Sequence, residues 1–199
     1  MHEPRVFSDV FARAKTYPQY LTTAKPNELA NWQNFEARVR LSADQQQMLK
    51  GISRRINILV ISGTWCGDCV QQVPILAHAE RVCPANLSAG NASPGIALRL
   101  IDRDIEAAFA SPFKICGGQR VPAAIFLNED FEFVSLMGDK TLSRFRLLAQ
   151  RTLGAACAVP GAAVPEDEIA QCASDWLNEI ERVALLLRLS AKLRQRHND

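Results

Sequence analysis

The sequence has no hydrophobic run long enough to cross a membrane and almost no excess of either charge. Lys and Arg number 23 and Asp and Glu number 21, a balance that leaves no basic surface for a nucleic-acid backbone. The longest apolar stretches, near residues 58–61 and 183–187, fall far short of the roughly 20 residues that a bilayer requires. The first twenty residues contain no apolar run typical of a secretory signal. We therefore predict a cytoplasmic protein that binds neither nucleic acid nor membrane.

The sequence is also not poor in apolar residues, and it does not need dense disulfide cross-linking. The chain is 48% hydrophobic and 22% charged, which is typical of an ordinary globular protein. Its 199 residues are enough to bury a core without disulfides. Because the cytosol is reducing, six cysteines are more often redox-active, metal-bound or simply buried there than cross-linked.

Composition divides the chain into four predicted regions. Residues 1–55 form a helical extension, 56–153 an α/β domain, 154–165 a linker rich in Ala, Gly and Pro, and 166–199 a long helix. In the last region Glu166–Glu181 has acidic but no basic residues and Arg182–His197 has basic but no acidic ones, as the helix dipole favours. We expect its apolar residues either to pack on the core or to form the interface of a homodimer.

The helical extension is predicted from two local patterns. Apolar residues recur at spacings of three and four from Leu29 to Val39, which is the period of an amphipathic helix. Ser42 and Gln45 have the spacing of a capping box and predict a second helix that continues through Lys50.

Strand and helix patterns alternate in the α/β domain. The predicted order is β-α-β-α-β-β-α, with strands at 56–62, 96–102, 121–128 and 131–137 and helices at 66–83, 105–109 and 141–153. Strands joined through helices favour parallel pairing, whereas the two-residue link between the last two favours an antiparallel hairpin, so we expect a mixed sheet. Ile56–Ser62 is almost entirely apolar, which predicts burial on both faces.

Cys66 and Cys69 form a C-x-x-C pair directly after this strand, at the start of a predicted helix. Residues i and i+3 of a helix lie on one face, close enough for a disulfide. The first cysteine faces unpaired backbone amides and the positive end of the helix dipole, which stabilise a thiolate. Cys66 is therefore the predicted nucleophile, and Cys69, one turn further on, is placed to resolve a mixed disulfide.

The motif WCGDC at Trp65–Cys69 resembles the thioredoxin family, and more narrowly its bacterial stand-alone members that carry this same motif. The similarity covers residues 56–153 and includes Pro74, the Val121–Pro122 step and Gly138. The resemblance implies a thioredoxin fold and thiol–disulfide exchange on protein disulfides, with a separate reductase or a low-molecular-weight thiol as the electron source.

The resemblance also implies roles for the residues around the cysteines. It implies a cis peptide before Pro122, and it makes Trp65, Val121, Pro122 and Gly138 candidate substrate-binding residues. The residues expected to shape the active site are Gly67, Asp68 and Pro74. Pro74 has no N–H and is expected to kink the helix predicted at 66–83.

Two positions depart from the family pattern. Val60 stands where the family usually has a buried Asp, six residues before the first cysteine, so Ser62, Thr64 or water is left as the proton acceptor for Cys69. Asp68 replaces the Pro of the commoner WCGPC, and its charge opposes a neighbouring thiolate while favouring the helix start. No direction for the redox potential follows from these opposed effects.

Other functions find weaker support in the sequence. A zinc site usually needs a second close Cys or His pair, and none follows Cys69. No glycine-rich nucleotide loop follows a strand, so no organic cofactor is implied. Cys116 is either a third thiol near the site or a small apolar filler. The remaining alternative is a redox-sensing binding module with little turnover.

Overall fold

The computed structural model describes residues 2–87, 93–153 and 167–198. The elements within these ranges are α1 (Pro4–Arg13), α2 (Tyr17–Leu21), α3 (Pro26–Glu36), α4 (Ala43–Lys50), β1 (Arg55–Ser62), α5 (Gly67–Val70), α6 (Val73–Val82), β2 (Gly95–Asp102), α7 (Ala107–Ala110), β3 (Ala123–Leu127), β4 (Phe133–Gly138), α8 (Leu142–Leu153), α9 (Glu168–Leu189) and α10 (Ala191–His197). The order predicted for the α/β region is confirmed.

The four strands form one mixed sheet in the order β2-β1-β3-β4. β1 pairs parallel with β2 and antiparallel with β3, and β3 pairs antiparallel with β4. All residues of β1 are buried, as its continuous apolar sequence predicts, because helices cover both faces of the sheet.

The strand registers bring four chain segments to one end of the sheet. Ser62 pairs with Asp102, and Ala123 pairs with both Ile61 and Gly138. The segments that leave β1, β2 and β4 and the segment that enters β3 therefore meet there, and we call it the cysteine end. The opposite end, where β1 begins and β3 ends, is the far end.

The N-terminal helices contribute large side chains to the same core. Phe7, Trp32 and Leu49 are fully buried and belong to one apolar cluster with the sheet residues. The helix predicted at Leu29–Val39 ends earlier, at Glu36, and Val39 is buried beyond its end. The capping box of α4 is confirmed, since the Gln45 amide donates to the Ser42 hydroxyl and the Ser42 amide donates to the Gln45 side chain.

Two helices that the sequence predicts as continuous are broken. The first breaks at Gln72, whose backbone is not helical, and α6 restarts at Val73. Pro74 therefore does not kink a single helix: it lies in the first turn of α6, where a missing N–H costs nothing. The C-terminal helix breaks at Ser190, whose extended backbone ends α9 and whose hydroxyl accepts from the amide of Leu193.

The C-terminal helix α9 packs on the core through one apolar stripe. Trp176, Ile180, Val183 and Leu187 on this stripe are buried. The exposed leucines of the same helix are Leu185, Leu186 and Leu189; a homodimer through this surface stays a prediction. The predicted linker 154–165 lies outside the described residues. No described helix combines the length and apolarity needed to span a membrane.

Candidate active site at the cysteine end of the sheet

The two cysteines of the C-x-x-C pair lie in different surroundings. Cys66 is the N-cap of α5 and is 9% exposed, whereas Cys69, inside the helix, is 0% exposed. Both are free thiols. The Cys66 sulfur lies 3.5 Å from the carbonyl oxygen of Val121, which accepts its hydrogen bond while Cys66 is protonated. Cys66 therefore lies at the boundary with solvent, against the segment that enters β3, while Cys69 is sealed beneath it.

Those surroundings shift the two pKa values in opposite directions. The pKa of Cys66 is lowered to about 6, chiefly by a hydrogen bond from the Cys69 side chain and further by the backbone amides of Cys69 and Asp68. Burial raises the pKa of Cys69 well above its usual 9.0, and the neighbouring Cys66 sulfur raises it further. At neutral pH the pair holds a thiolate on the outer sulfur and a proton on the inner one, as a nucleophile and a resolving thiol require.

Two hydroxyl groups lie beneath Cys69. Ser62 and Tyr20 are almost completely buried, and neither hydroxyl has a hydrogen-bond partner among the described residues. The nearby Ser62 hydroxyl lowers the pKa of Cys69, against the effect of burial. Val60 is fully buried within β1 and supplies no acid or base. Burial strongly raises the pKa of Tyr20, so Tyr20 stays protonated near neutral pH. The hydroxyls on this side of Cys69 are therefore neutral near neutral pH.

Trp65 forms the exposed wall beside Cys66. Its side chain is 50% exposed, and the Arg103 guanidinium lies 4.7 Å from the ring centroid, within the range of a cation–π contact. A Cβ at Gly63 would come within 2.7 Å of the Trp65 ring, so a side chain there would displace the indole. On the other side of Trp65, α3 and α5 enclose a cleft of about 360 Å³ that is lined by Asn31 and Arg38 among others.

The N-terminal helices hold the loop that carries Trp65. The buried indole N–H of Trp32 donates to the Thr64 carbonyl oxygen at 2.9 Å, and the Thr64 hydroxyl donates to Glu28 at 2.8 Å. The helical periodicity of α3 predicts that Trp32 is buried, but no sequence signal indicates that its N–H reaches the active-site loop. The extension is thus part of the scaffold of the site.

The segment that enters β3 closes the site on the side of Cys66. The Val121–Pro122 peptide bond is cis, and both residues are buried. Gly138 has φ +148°, and a Cβ there would lie 2.1 Å from the Pro122 carbonyl oxygen. No other residue fits this approach, so Gly138 lets β4 lie directly against Pro122.

Gly67 and Asp68 occupy the first turn of α5. A Cβ at Gly67 would meet nothing within 4 Å, so the surroundings leave room for a side chain. Asp68 forms ion pairs with Lys140 and Arg144, which sequence reasoning missed. Gln72 was missed as well: its buried amide donates to the carbonyl oxygens of Asp68 and Asp139 and bridges the break before α6.

The other described cysteines differ from the pair in burial and surroundings. Cys172 is buried, and burial raises its pKa to about 11. Cys83 is partly exposed. Cys116 is exposed, with φ +49°, which corrects its interpretation as an apolar filler. Cys157 lies outside the described residues. Among the described residues, no group of three or more His, Cys, Asp or Glu is placed to hold a metal ion.

A dithiol at the start of a helix, beside a mixed sheet and an X-Pro segment, defines a thioredoxin-fold protein. The family model described as Thioredoxin matches residues 14–139. This match spans more than half of the chain, and the chain belongs to the thioredoxin family. It begins inside the N-terminal helices, which agrees with their contribution to the core.

Two solved structures share the fold at low sequence identity. A protein of unknown function from Pseudomonas aeruginosa is 16% identical, with a TM-score of 0.63 over 88% of this chain and 95% of that one. An HIV epitope scaffold is 17% identical, with a TM-score of 0.60 over 88% of this chain and 97% of its own. No curated protein matches the chain. These two similarities support the fold and do not indicate an activity.

Proposed function

We propose that this protein is a thiol–disulfide oxidoreductase that reduces disulfides in proteins, with Cys66 as the attacking and Cys69 as the resolving cysteine. The observation that carries the proposal is the opposite shift of the two thiols within one helical turn: the pKa of Cys66 falls to about 6, while burial holds the proton on Cys69. Membership of the thioredoxin family supports the same chemistry.

The reaction takes two exchanges. The Cys66 thiolate attacks one sulfur of the substrate disulfide, a Cys66–substrate bond forms, and the other substrate sulfur leaves and takes up a proton. Cys69 then loses its proton and attacks the Cys66 sulfur, which releases the second substrate thiol and leaves a Cys66–Cys69 disulfide. The substrate gains two electrons, so a separate reductase or a low-molecular-weight thiol must supply two to restore the dithiol.

Loss of the proton from Cys69 is the step for which this site is least equipped. The Ser62 hydroxyl lowers the pKa of Cys69, but a hydroxyl is a poor base near neutral pH. Once Cys66 is bound in a mixed disulfide it no longer carries a charge that opposes ionisation of Cys69. We therefore propose that Cys69 gives its proton to water on the side of the Ser62 hydroxyl. This transfer should be slower than in family members with a buried Asp.

The surface around Cys66 supplies the proposed contacts to substrate. The backbone of Val121 pairs with an extended segment beside the substrate disulfide, and Pro122 and Gly138 keep that edge closely packed. Trp65 offers an exposed apolar face, and the adjoining cleft between α3 and α5 accepts a neighbouring side chain. From the resemblance of its WCGDC motif, we further propose that the protein acts on thiols in the bacterial cytoplasm.

The experiment that tests this function measures the redox couple directly. Purified protein is equilibrated in graded thiol buffers, and the Cys66–Cys69 disulfide is quantified by mass spectrometry, with Cys66→Ser and Cys69→Ser as controls. A reversible couple near about −270 mV supports the reductase, whereas a value of about −120 to −180 mV indicates an oxidase or isomerase. If no such disulfide forms, the catalytic proposal is wrong and the binding-module hypothesis takes its place.

A further inference from the structure

Asp68 lies between the two reactive cysteines, and each of its carboxylate oxygens faces a cation. Oδ1 is 3.0 Å from Nη2 of Arg144, and Oδ2 is 2.8 Å from Nζ of Lys140. Both cations are largely withdrawn from solvent, with side chains 10% and 16% exposed. Ion pairs shielded in this way are screened by water less than surface pairs.

The two cations are themselves held in place. Lys140 also contacts Asp139 at 2.9 Å. Arg144 contacts Glu168 of α9 at 2.6 Å and donates to Gln71. Burial disfavours the Lys140 ammonium, but its two carboxylate partners outweigh that effect and raise its pKa, so Lys140 stays charged. Asp68, Lys140 and Arg144, which we call the clamp, thus join α5 to the segment after β4, to α8 and to α9.

We propose that Lys140 and Arg144 are positioning residues of the redox centre, which hold the Asp68 carboxylate and neutralise its charge beside Cys66. The proposal deepens the proposed function and relies on it for the consequence at the disulfide. Asp68 by itself opposes a thiolate on Cys66. The two cations offset this opposition, so the Cys69 side chain and the amides of the first helical turn keep the pKa of Cys66 low.

Three other titratable groups act on Cys66. They are Cys69 of α5, Arg103 after β2 and Tyr20 of α2. Neither Lys140 nor Arg144 is among the main direct influences on Cys66. Their effect is therefore expected to pass through Asp68, and this makes the proposal separable from a simple nearby positive charge.

A double-mutant cycle tests the clamp. Lys140→Met and Asp68→Asn are made singly and together, with Lys140→Arg as the matched variant that keeps the charge, and thermal unfolding checks that each folds. The pH dependence of Cys66 alkylation gives its pKa, and graded thiol buffers give the potential of the couple. We expect Lys140→Met to reduce the thiolate fraction of Cys66 below its pKa about three- to tenfold. Since the reduced form loses stability, the potential becomes more negative, by up to about 30 mV for a tenfold change.

The cycle is decisive in the Asp68→Asn background. There Lys140→Met should leave both the pKa of Cys66 and the potential of the couple unchanged. When Asp68 is intact, Lys140→Arg should resemble the unaltered protein. The proposal is overturned if Lys140→Met has no effect, or the same effect with and without Asp68. Absence of any Cys66–Cys69 couple in the unaltered protein would instead refute the proposed function, and the alkylation measurement would still decide whether the clamp acts on Cys66.

Discussion

The two ends of the central sheet both hold buried charges, but reactive sulfur lies at only one of them. At the far end, Arg54 pairs with Glu129, with side chains 5% and 3% exposed. Around this pair, Arg196 and His197 of α10 contact Asp130 at 2.5 and 3.0 Å. These contacts tie the end of the chain to the turn between β3 and β4, and their charges compensate one another.

At the cysteine end the same kinds of ion pair adjoin a dithiol. Asp68, Lys140 and Arg144 hold α5, α8 and the segment after β4 together, as the far-end pairs hold α10. Asp68 stands two positions after Cys66, and its charge raises the pKa of that thiol. The two ends therefore differ in what lies beside their ion pairs: only those at the cysteine end adjoin a reactive thiol. Substitutions at the far end should therefore change stability alone, and those at the cysteine end should change thiol chemistry more than stability.

The largest expected effect is the loss of all disulfide reduction in Cys66→Ser, because this substitution removes the attacking sulfur. Cys69→Ser should instead accumulate a mixed disulfide between Cys66 and substrate, visible by non-reducing electrophoresis and mass spectrometry. The stability of Cys66→Ser should change by about 1 kcal/mol or less. Cys172→Ser is the matched control for a buried thiol, and loss of turnover in that variant would contradict this assignment of the nucleophile.

Glu129→Gln should have the largest effect at the far end. It removes one charge from a buried ion pair, a change that costs about 3–5 kcal/mol. Chemical denaturation should show this loss in the free energy of unfolding, while the pKa of Cys66, measured by alkylation under native conditions, should not move. A shifted Cys66 pKa in folded Glu129→Gln protein would show that the two ends are coupled through the sheet.

The pH dependence of alkylation distinguishes Cys66 from the other thiols. Its rate should rise with a midpoint at about pH 6 and fall about tenfold for each pH unit below that. Buried Cys172 should remain unreactive until the pH approaches its pKa of about 11. Peptide mapping after labelling at several pH values separates the sites. A Cys66 midpoint near its usual value of 9.0 would remove the basis for treating it as the nucleophile.

Much of this arrangement is predictable from the sequence because local signals agree with the fold. The order of strands and helices along the chain, the mixed sheet and the capping box of α4 follow from periodicity, loop length and cap residues. Cys66 and Cys69 are recognisable because the strand before them and the helix after them fix their relative position. Each of these features depends on residues close together in the chain.

The remainder depends on contacts between distant segments. The ion pairs of Asp68 with Lys140 and Arg144 join residues more than 70 positions apart, and Arg144 looks like a surface residue of an amphipathic helix. The break at Gln72 has a similar origin. Gln72 can leave the helix because its side chain meets the backbone of Asp139, a partner that no local pattern reveals.

The smallest expected effect is that of Glu132→Gln at the far end. Arg196, then Asn128 and Lys192, lower the pKa of Glu132 from its usual 4.5 to about 2 against the effect of burial. A carboxyl whose folded pKa is depressed stabilises the protein above its unfolded value and loses that contribution as the pH falls through the folded one. The unaltered protein should therefore be slightly more stable than Glu132→Gln at pH 7. This loss of stability should be much smaller than that of Glu129→Gln, because the Glu132 pairs are partly exposed. Denaturation at a series of pH values should show the difference shrink below about pH 4.5 and vanish near pH 2. A difference that persists at pH 2 would mean that Glu132 acts through packing rather than charge, and the far end would then differ from the cysteine end in kind as well as in what it neighbours.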